Sequence, residues 1–133
     1  MKLIRKFPKE GVNVSYSRKQ FLEMNILIMQ AFFLESFTPK ELEILTHYCN
    51  LYDDQEVLLS PKNKKRVVEL AKLKSVATLN EYNKRLRNKY GLVYSPKQRD
   101  WIINPVLFIP KEYDELELVI NIKQNALARP DSN

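Results

Sequence analysis

Ser60-Pro61-Lys62-Asn63-Lys64-Lys65-Arg66-Val67-Val68-Glu69-Leu70-Ala71-Lys72-Leu73-Lys74-Ser75-Val76-Ala77-Thr78-Leu79 decides the fold of this chain. A capping hydroxyl followed by proline, as in Ser60-Pro61, marks a helix start. That helix is expected to run to about Lys72, with Val67, Val68, Leu70 and Ala71 facing inward. A tight turn follows, and Ser75 caps the next helix, expected to end near Tyr90 with Gly91 as its C′ residue. Leu79, Tyr82, Leu86 and Tyr90 form its buried stripe, and Ala77, Asn80, Glu81, Lys84, Arg85, Arg87 and Asn88 its open face.

Reading outward, Leu92–Tyr94 and Trp101–Ile103 are β-like runs joined by the polar tip Ser95-Pro96-Lys97-Gln98-Arg99-Asp100. Asn104-Pro105 ends this hairpin. On the other side, Phe37-Thr38-Pro39-Lys40-Glu41-Leu42 combines a cap, an N1 proline, a capping box and a hydrophobic staple. The helix it starts is expected to reach about Leu51, with Leu42, Leu45 and Cys49 as one stripe and Ile44, Tyr48 and Leu51 as another. Asp53-Asp54-Gln55 reads as a turn and Glu56–Leu59 as a short strand.

The ends of the chain read less sharply. Residues 1–16 are expected to form an arm or short strand. Ser17 and Gln20 make a capping box for a helix from about Arg18 to Glu35. Leu22, Ile26, Met29 and Phe33 line one stripe of it, and Phe21, Met24, Ile28 and Phe32 a second. A helix so widely apolar needs cover on two sides, either from its own domain or from a second copy meeting residues 21–34. The run Asn25–Phe33 also fits a buried strand. Val106–Ile109 and Leu116–Ile122 are expected strands, and residues 124–133 a loose tail.

The charge is concentrated. Residues 60–99 hold twelve Lys/Arg and two acids, a block of +10, while the remaining 93 residues carry ten bases and fourteen acids. A field that polar orients a polyanion before contact. The basic first turns of the helix after Ser60, with Lys62, Lys64, Lys65 and Arg66, oppose the helix dipole, and a bound phosphate would relieve the misfit.

The order helix, short strand, helix, turn, helix, strand, basic tip, strand resembles a winged helix-turn-helix domain over residues 37–104. Residues 67–79 look like the helix-turn-helix core of that superfamily, and residues 37–45 are similar to the first helix of bacterial and phage response-regulator-like domains. Lys72 stands near the place of the usual turn glycine, and Val68 replaces the favoured small residue. The expected class is therefore α+β: a winged core at 37–104, an N-terminal arm and helix at 1–36, and additional strands at 105–123. The resemblance implies a non-catalytic protein of bacterial or phage type that binds double-stranded DNA. Asn80, Lys84, Arg85, Arg87 and Asn88 would then read bases from the major groove. Lys62, Lys64, Lys65, Lys74, Ser75, Lys97 and Arg99 would hold phosphates. The alternative is a structural subunit of an oligomer, such as a virion or ring component, that uses the fold for protein contacts.

Several classes are disfavoured. Two glycines leave no phosphate-cradling loop, and one cysteine and one histidine leave no Cys/His metal cluster. His47 and Cys49 lie two apart on a helix, about 200° around it, and share no ligand. Neither a cofactor, a metal nor a small-molecule ligand is expected. Asp53, Asp54 and Glu56 read as a solvated turn, and Glu112, Asp114, Glu115 and Glu117 as a surface acidic patch. Met1–Pro8 is basic but lacks a signal peptide's apolar core, and no stretch is long enough to span a bilayer. The expectation is a cytoplasmic or virion protein with Cys49 as a free thiol.

Overall fold

Four hydroxyl side chains start four helices in the computed structural model, which describes residues 1–4, 16–33, 36–51, 59–116, 121 and 123–124. Ser17 Oγ accepts from Gln20 N at 3.2 Å, opening α1 (Arg18–Met29). Thr38 Oγ1 accepts from Glu41 N at 3.2 Å, opening α2 (Pro39–Asn50). Ser60 Oγ accepts from Asn63 N at 3.3 Å for α3 (Pro61–Leu70), and Ser75 Oγ from Thr78 N at 3.2 Å for α4 (Val76–Asn88). Each such cap is worth about 1 kcal/mol. Both expected capping boxes close, through Gln20 Oε1 at 2.9 Å and Glu41 Oε1 at 2.8 Å.

After α4 come β1 (Leu92–Ser95) and β2 (Asp100–Ile103), antiparallel, with Leu92 opposite Ile103 and Tyr94 opposite Trp101. The fold is α+β, with four α-helices and one two-stranded sheet among the described residues. Its core gathers Leu22 and Ile26 of α1, Ile44, Leu45 and Tyr48 of α2, Val67 of α3, Leu79 and Leu86 of α4, Leu92 and Ile103 of the sheet, and Leu107 beyond it. The core thus draws side chains from either side of residues 36 and 104.

Several expectations are corrected. α1 stops at Met29 rather than Glu35, and a 3₁₀ turn follows at Gln30–Phe32. Gln30 Oε1 accepts from Phe37 N at 3.1 Å, and the Phe33 and Phe37 rings meet edge-to-face at 5.9 Å. These contacts fold the end of α1 onto the start of α2. A buried strand at Asn25–Phe33 is thereby replaced by helix. Leu22 and Ile26 are completely buried, and Met29 and Phe33 pack beside them on the core. This stripe is therefore packed on the chain's own core, and Leu22 and Ile26 present no exposed surface. The apolar side chains of this region left exposed are Met24, Leu27 and Phe32.

The connection between α3 and α4 is longer than a minimal turn, spanning residues 71–75. Leu73 N donates to Val68 O at 2.9 Å and Lys72 N to Glu69 O at 3.3 Å. This is a Schellman closure with Lys72 at φ 55°, the left-handed position that glycine occupies most cheaply. Lys40 Nζ, donating to Ala71 O at 2.7 Å, satisfies a further carbonyl at this helix end.

The same motif ends α4, where Gly91 N donates to Leu86 O at 2.8 Å. Here Tyr90, not Gly91, is the left-handed residue, at φ 62°. Tyr90 is turned out of the leucine stripe and is 54% exposed, against the expectation of a core residue. Gly91 instead sits in a close contact with two core side chains. A Cβ there would lie 3.1 Å from Phe37 Cε1 and 3.2 Å from Leu86 Cδ2.

Val106–Ile109 forms no strand. Pro105–Leu107 is a 3₁₀ turn, and Leu107, Phe108 and Ile109 are buried. Backbone oxygens that a sheet partner would have paired are taken by side chains. Asn25 Nδ2 donates to Val106 O at 3.1 Å, Cys49 Sγ to Leu107 O at 3.7 Å, and Arg18 Nη2 to Ile109 O. Of Leu116–Ile122, Leu116 and Asn121 are described and neither is in a strand. The expected arm over 5–15, the turn and strand over 52–58, and the tail from 125 lie outside the described residues. Among the described residues no helix is long and apolar enough to cross a membrane.

Candidate nucleic-acid interface

The geometry of α4 follows from its pattern. Leu79, Asn83 and Leu86 turn inward, leaving Ala77, Asn80, Glu81, Lys84, Arg85, Arg87 and Asn88 exposed. Asn80, Lys84 and Asn88 succeed one another at i, i+4 and i+8, one line along the helix, with Arg87 and Arg85 flanking it. The face therefore presents three cations and two amides. Guanidinium groups offer paired donors to carboxylate, phosphate or guanine, and an amide both donates and accepts.

Neighbours orient these groups. Lys84 Nζ lies 3.5 Å from Glu81 Oε1. Arg85 sits over the Tyr82 ring at 5.2 Å, and Arg87 over the Trp101 ring at 4.7 Å. Trp101 is half-buried, and it joins α4 to the hairpin rather than only anchoring the hairpin in the core. At the tip, Pro96, Lys97, Gln98 and Arg99 are exposed. Gln98 N donates to Ser95 Oγ at 3.3 Å, and Arg99 at φ 54° closes the loop.

The expected phosphate contacts divide. Lys62, Lys65, Lys74, Ser75, Lys97 and Arg99 are exposed. Ser75 Oγ is engaged in capping α4 and lies 3.3 Å from Thr78 Oγ1. Lys62 and Lys65, three apart, share a face of α3. Lys64 is half-buried and lies about 200° around the helix from Lys62, so α3 does not bring these lysines together. Arg66 is paired with Glu69 at 2.9 Å.

Lys89 belongs to the basic block by sequence but not by geometry. Its Nζ donates to Glu41 Oε1 at 2.7 Å and to Ser36 O at 3.2 Å. Burial raises the affinity of Glu41 for a proton, but hydrogen bonds from Lys89 and Thr38 outweigh it and hold the carboxyl below its ordinary value of 4.5.

The remaining reactive groups are buried. Burial pushes the Cys49 thiol up to about 12 against the opposing charge of Arg18. It pushes the Tyr48 phenol up to about 12 against a 3.4 Å hydrogen bond from Asn83 Nδ2. Both stay protonated and are poor nucleophiles. His47 is held below its ordinary value by burial and the charge of Lys19, with Glu43, 3.5 Å away, opposing. Among the described residues no group of His, Cys, Asp or Glu side chains is arranged to hold a metal ion.

Sequence reasoning did not find three features: the Arg87–Trp101 contact, the exposure of Tyr94 beside it, and the Lys89–Glu41 pair. The hairpin register carried a signal for the first two, since it sets Tyr94 opposite Trp101.

Comparison of the chain with protein-family models, with curated proteins and with solved structures returns no match.

Proposed function

We propose that the chain is a non-catalytic DNA-binding protein of the winged helix-turn-helix kind, with α4 in the major groove and the hairpin tip on the backbone. The reading is carried by one observation. Asn80, Lys84, Arg85, Arg87 and Asn88 are all exposed on α4, and the cationic tip at Lys97 and Arg99 follows directly in the chain. The order α2, α3, α4, β1, β2 supports the winged reading. In this docking Lys62, Lys65, Lys74, Lys97 and Arg99 neutralise phosphates, and the amides and guanidinium groups of α4 meet base edges.

Titrating a labelled duplex with the protein across a salt series tests this. Neutralising about four to six phosphates gives a log Kd against log salt slope of about 4 to 5 in magnitude. No detectable binding near 50 mM salt, where such contacts are strong, overturns the reading. Replacing Lys84 and Arg87 together by alanine weakens binding by about tenfold or more. Replacing Lys19 and Lys111 changes it little, and equal losses would show that α4 is not the docking face.

A second reading, a self-assembling structural subunit, is favoured by exposed Met24, Leu27 and Phe32 around α1. Light scattering separates the two. A large closed assembly with weak, sequence-blind DNA affinity supports the subunit reading, and a selected consensus site supports the first.

A further inference from the structure

The hairpin face that packs on the core does not end where the core ends. Leu92 and Ile103 are opposite one another and buried. Two residues toward the tip, on the same face, stand Tyr94 and Trp101, also opposite one another. Their rings meet edge-to-face at 5.9 Å and 71°. Arg87 of α4 lies over the indole at 4.7 Å, and Tyr94 is 51% exposed. Trp101 is half-buried and packs against the core, and the Tyr94 ring stands open beside it. The surroundings are cationic, since residues 82–99 contain no carboxylate. Asp100, the next acid, precedes Trp101 on β2 and points to the other face of the strand.

We propose that Tyr94, Trp101 and Arg87 form a stacking platform for an unpaired nucleobase, so that this surface prefers duplex carrying a single-stranded end over uninterrupted duplex. The inference rests on the nucleic-acid reading above and specifies its substrate. A flat ring and a guanidinium plane take any base by its π face, and the neighbouring cations hold the phosphates on either side. Inside a continuous duplex the bases are stacked on each other and offer no such face. A single-stranded extension running from the groove past the hairpin does.

Trp101 is the chain's single tryptophan, so its emission reports directly on the platform. The experiment measures affinity and emission with a blunt duplex, with the same duplex bearing a short overhang, and with the overhang strand alone. The expected result is about tenfold tighter binding of the overhang duplex than of the blunt one, with quenching of Trp101. Tyr94→Leu, which keeps an apolar cross-strand partner for Trp101, loses that preference, and Tyr94→Phe retains it. Equal affinity for blunt and overhang duplexes with unchanged emission overturns the platform and leaves the duplex reading standing. Binding of the single strand with quenching, and none of the blunt duplex, upholds the platform and overturns the duplex reading. No binding of any probe overturns both.

Discussion

α2 and α4 are helices of similar length with opposite uses of charge. Among the described residues, every buried ionisable side chain, Glu41, His47, Tyr48 and Cys49, lies on α2. No ionisable side chain of α4 is buried, and five of its polar groups stand open along one side. α2 consumes its polar chemistry in holding the molecule together: Glu41 takes Lys89, Lys40 closes the end of α3, and Cys49 meets the segment after the hairpin. α4 leaves those five polar groups exposed, held in place by neighbours such as Glu81, Tyr82 and Trp101. A count of cations along the chain therefore overstates the exposed cationic surface, and their partners decide which of them count.

Lys89 is where this distinction is most easily broken. Lys89→Met leaves the Glu41 carboxylate buried with only its capping bonds, at a cost of about 3 kcal/mol. Urea unfolding reads this loss, while duplex affinity, corrected for the folded fraction, stays unchanged; an affinity loss without a stability loss would move Lys89 to the binding face. The effect depends on pH with a definite sign. Because the folded pKa of Glu41 is depressed, its contribution is fully present above 4.5 and is lost as pH falls through the folded value. The gap between wild type and Lys89→Met should close on acidification over that range.

Gly91→Ala tests the joint between the halves. Its Cβ would press on Phe37 and Leu86 at 3.1 and 3.2 Å, costing about 1 to 2 kcal/mol in thermal or urea unfolding. A neutral result would show that the Phe37 ring yields freely. The smallest effect is expected on the binding side, at a residue that makes no core contact. Lys72→Gly relieves a left-handed lysine and should stabilise the protein by about 1 kcal/mol. Removing a cation there also tests whether the turn contributes to the salt slope, which is expected to change by less than about 1.

Much of this was legible in the sequence wherever the physics is local. Ser17, Thr38, Ser60 and Ser75 announce the four helix starts because a cap acts within three residues. The open face of α4 follows from the spacing of Leu79 and Leu86, and the hairpin from turn residues between two apolar runs. The stripe Leu22, Ile26, Met29 and Phe33 was recognisably apolar, but periodicity does not say what covers it, and α2 does. Val106–Ile109 is apolar and β-like, yet its backbone partners are side chains of α1 and α2, distant in sequence.

The residue pattern alone determined where helices begin, which side of each is apolar, and that the positive charge gathers between residues 60 and 99. Those are properties of nearest neighbours along the chain. Which cations are paired, how closely Phe37 and Leu86 approach Gly91, and that Arg87 rests on Trp101 were decided only by tertiary packing. Each depends on a group from a separate element, and the strength of an ion pair, a close contact or a cation–aromatic stack is set by distances that no local pattern encodes.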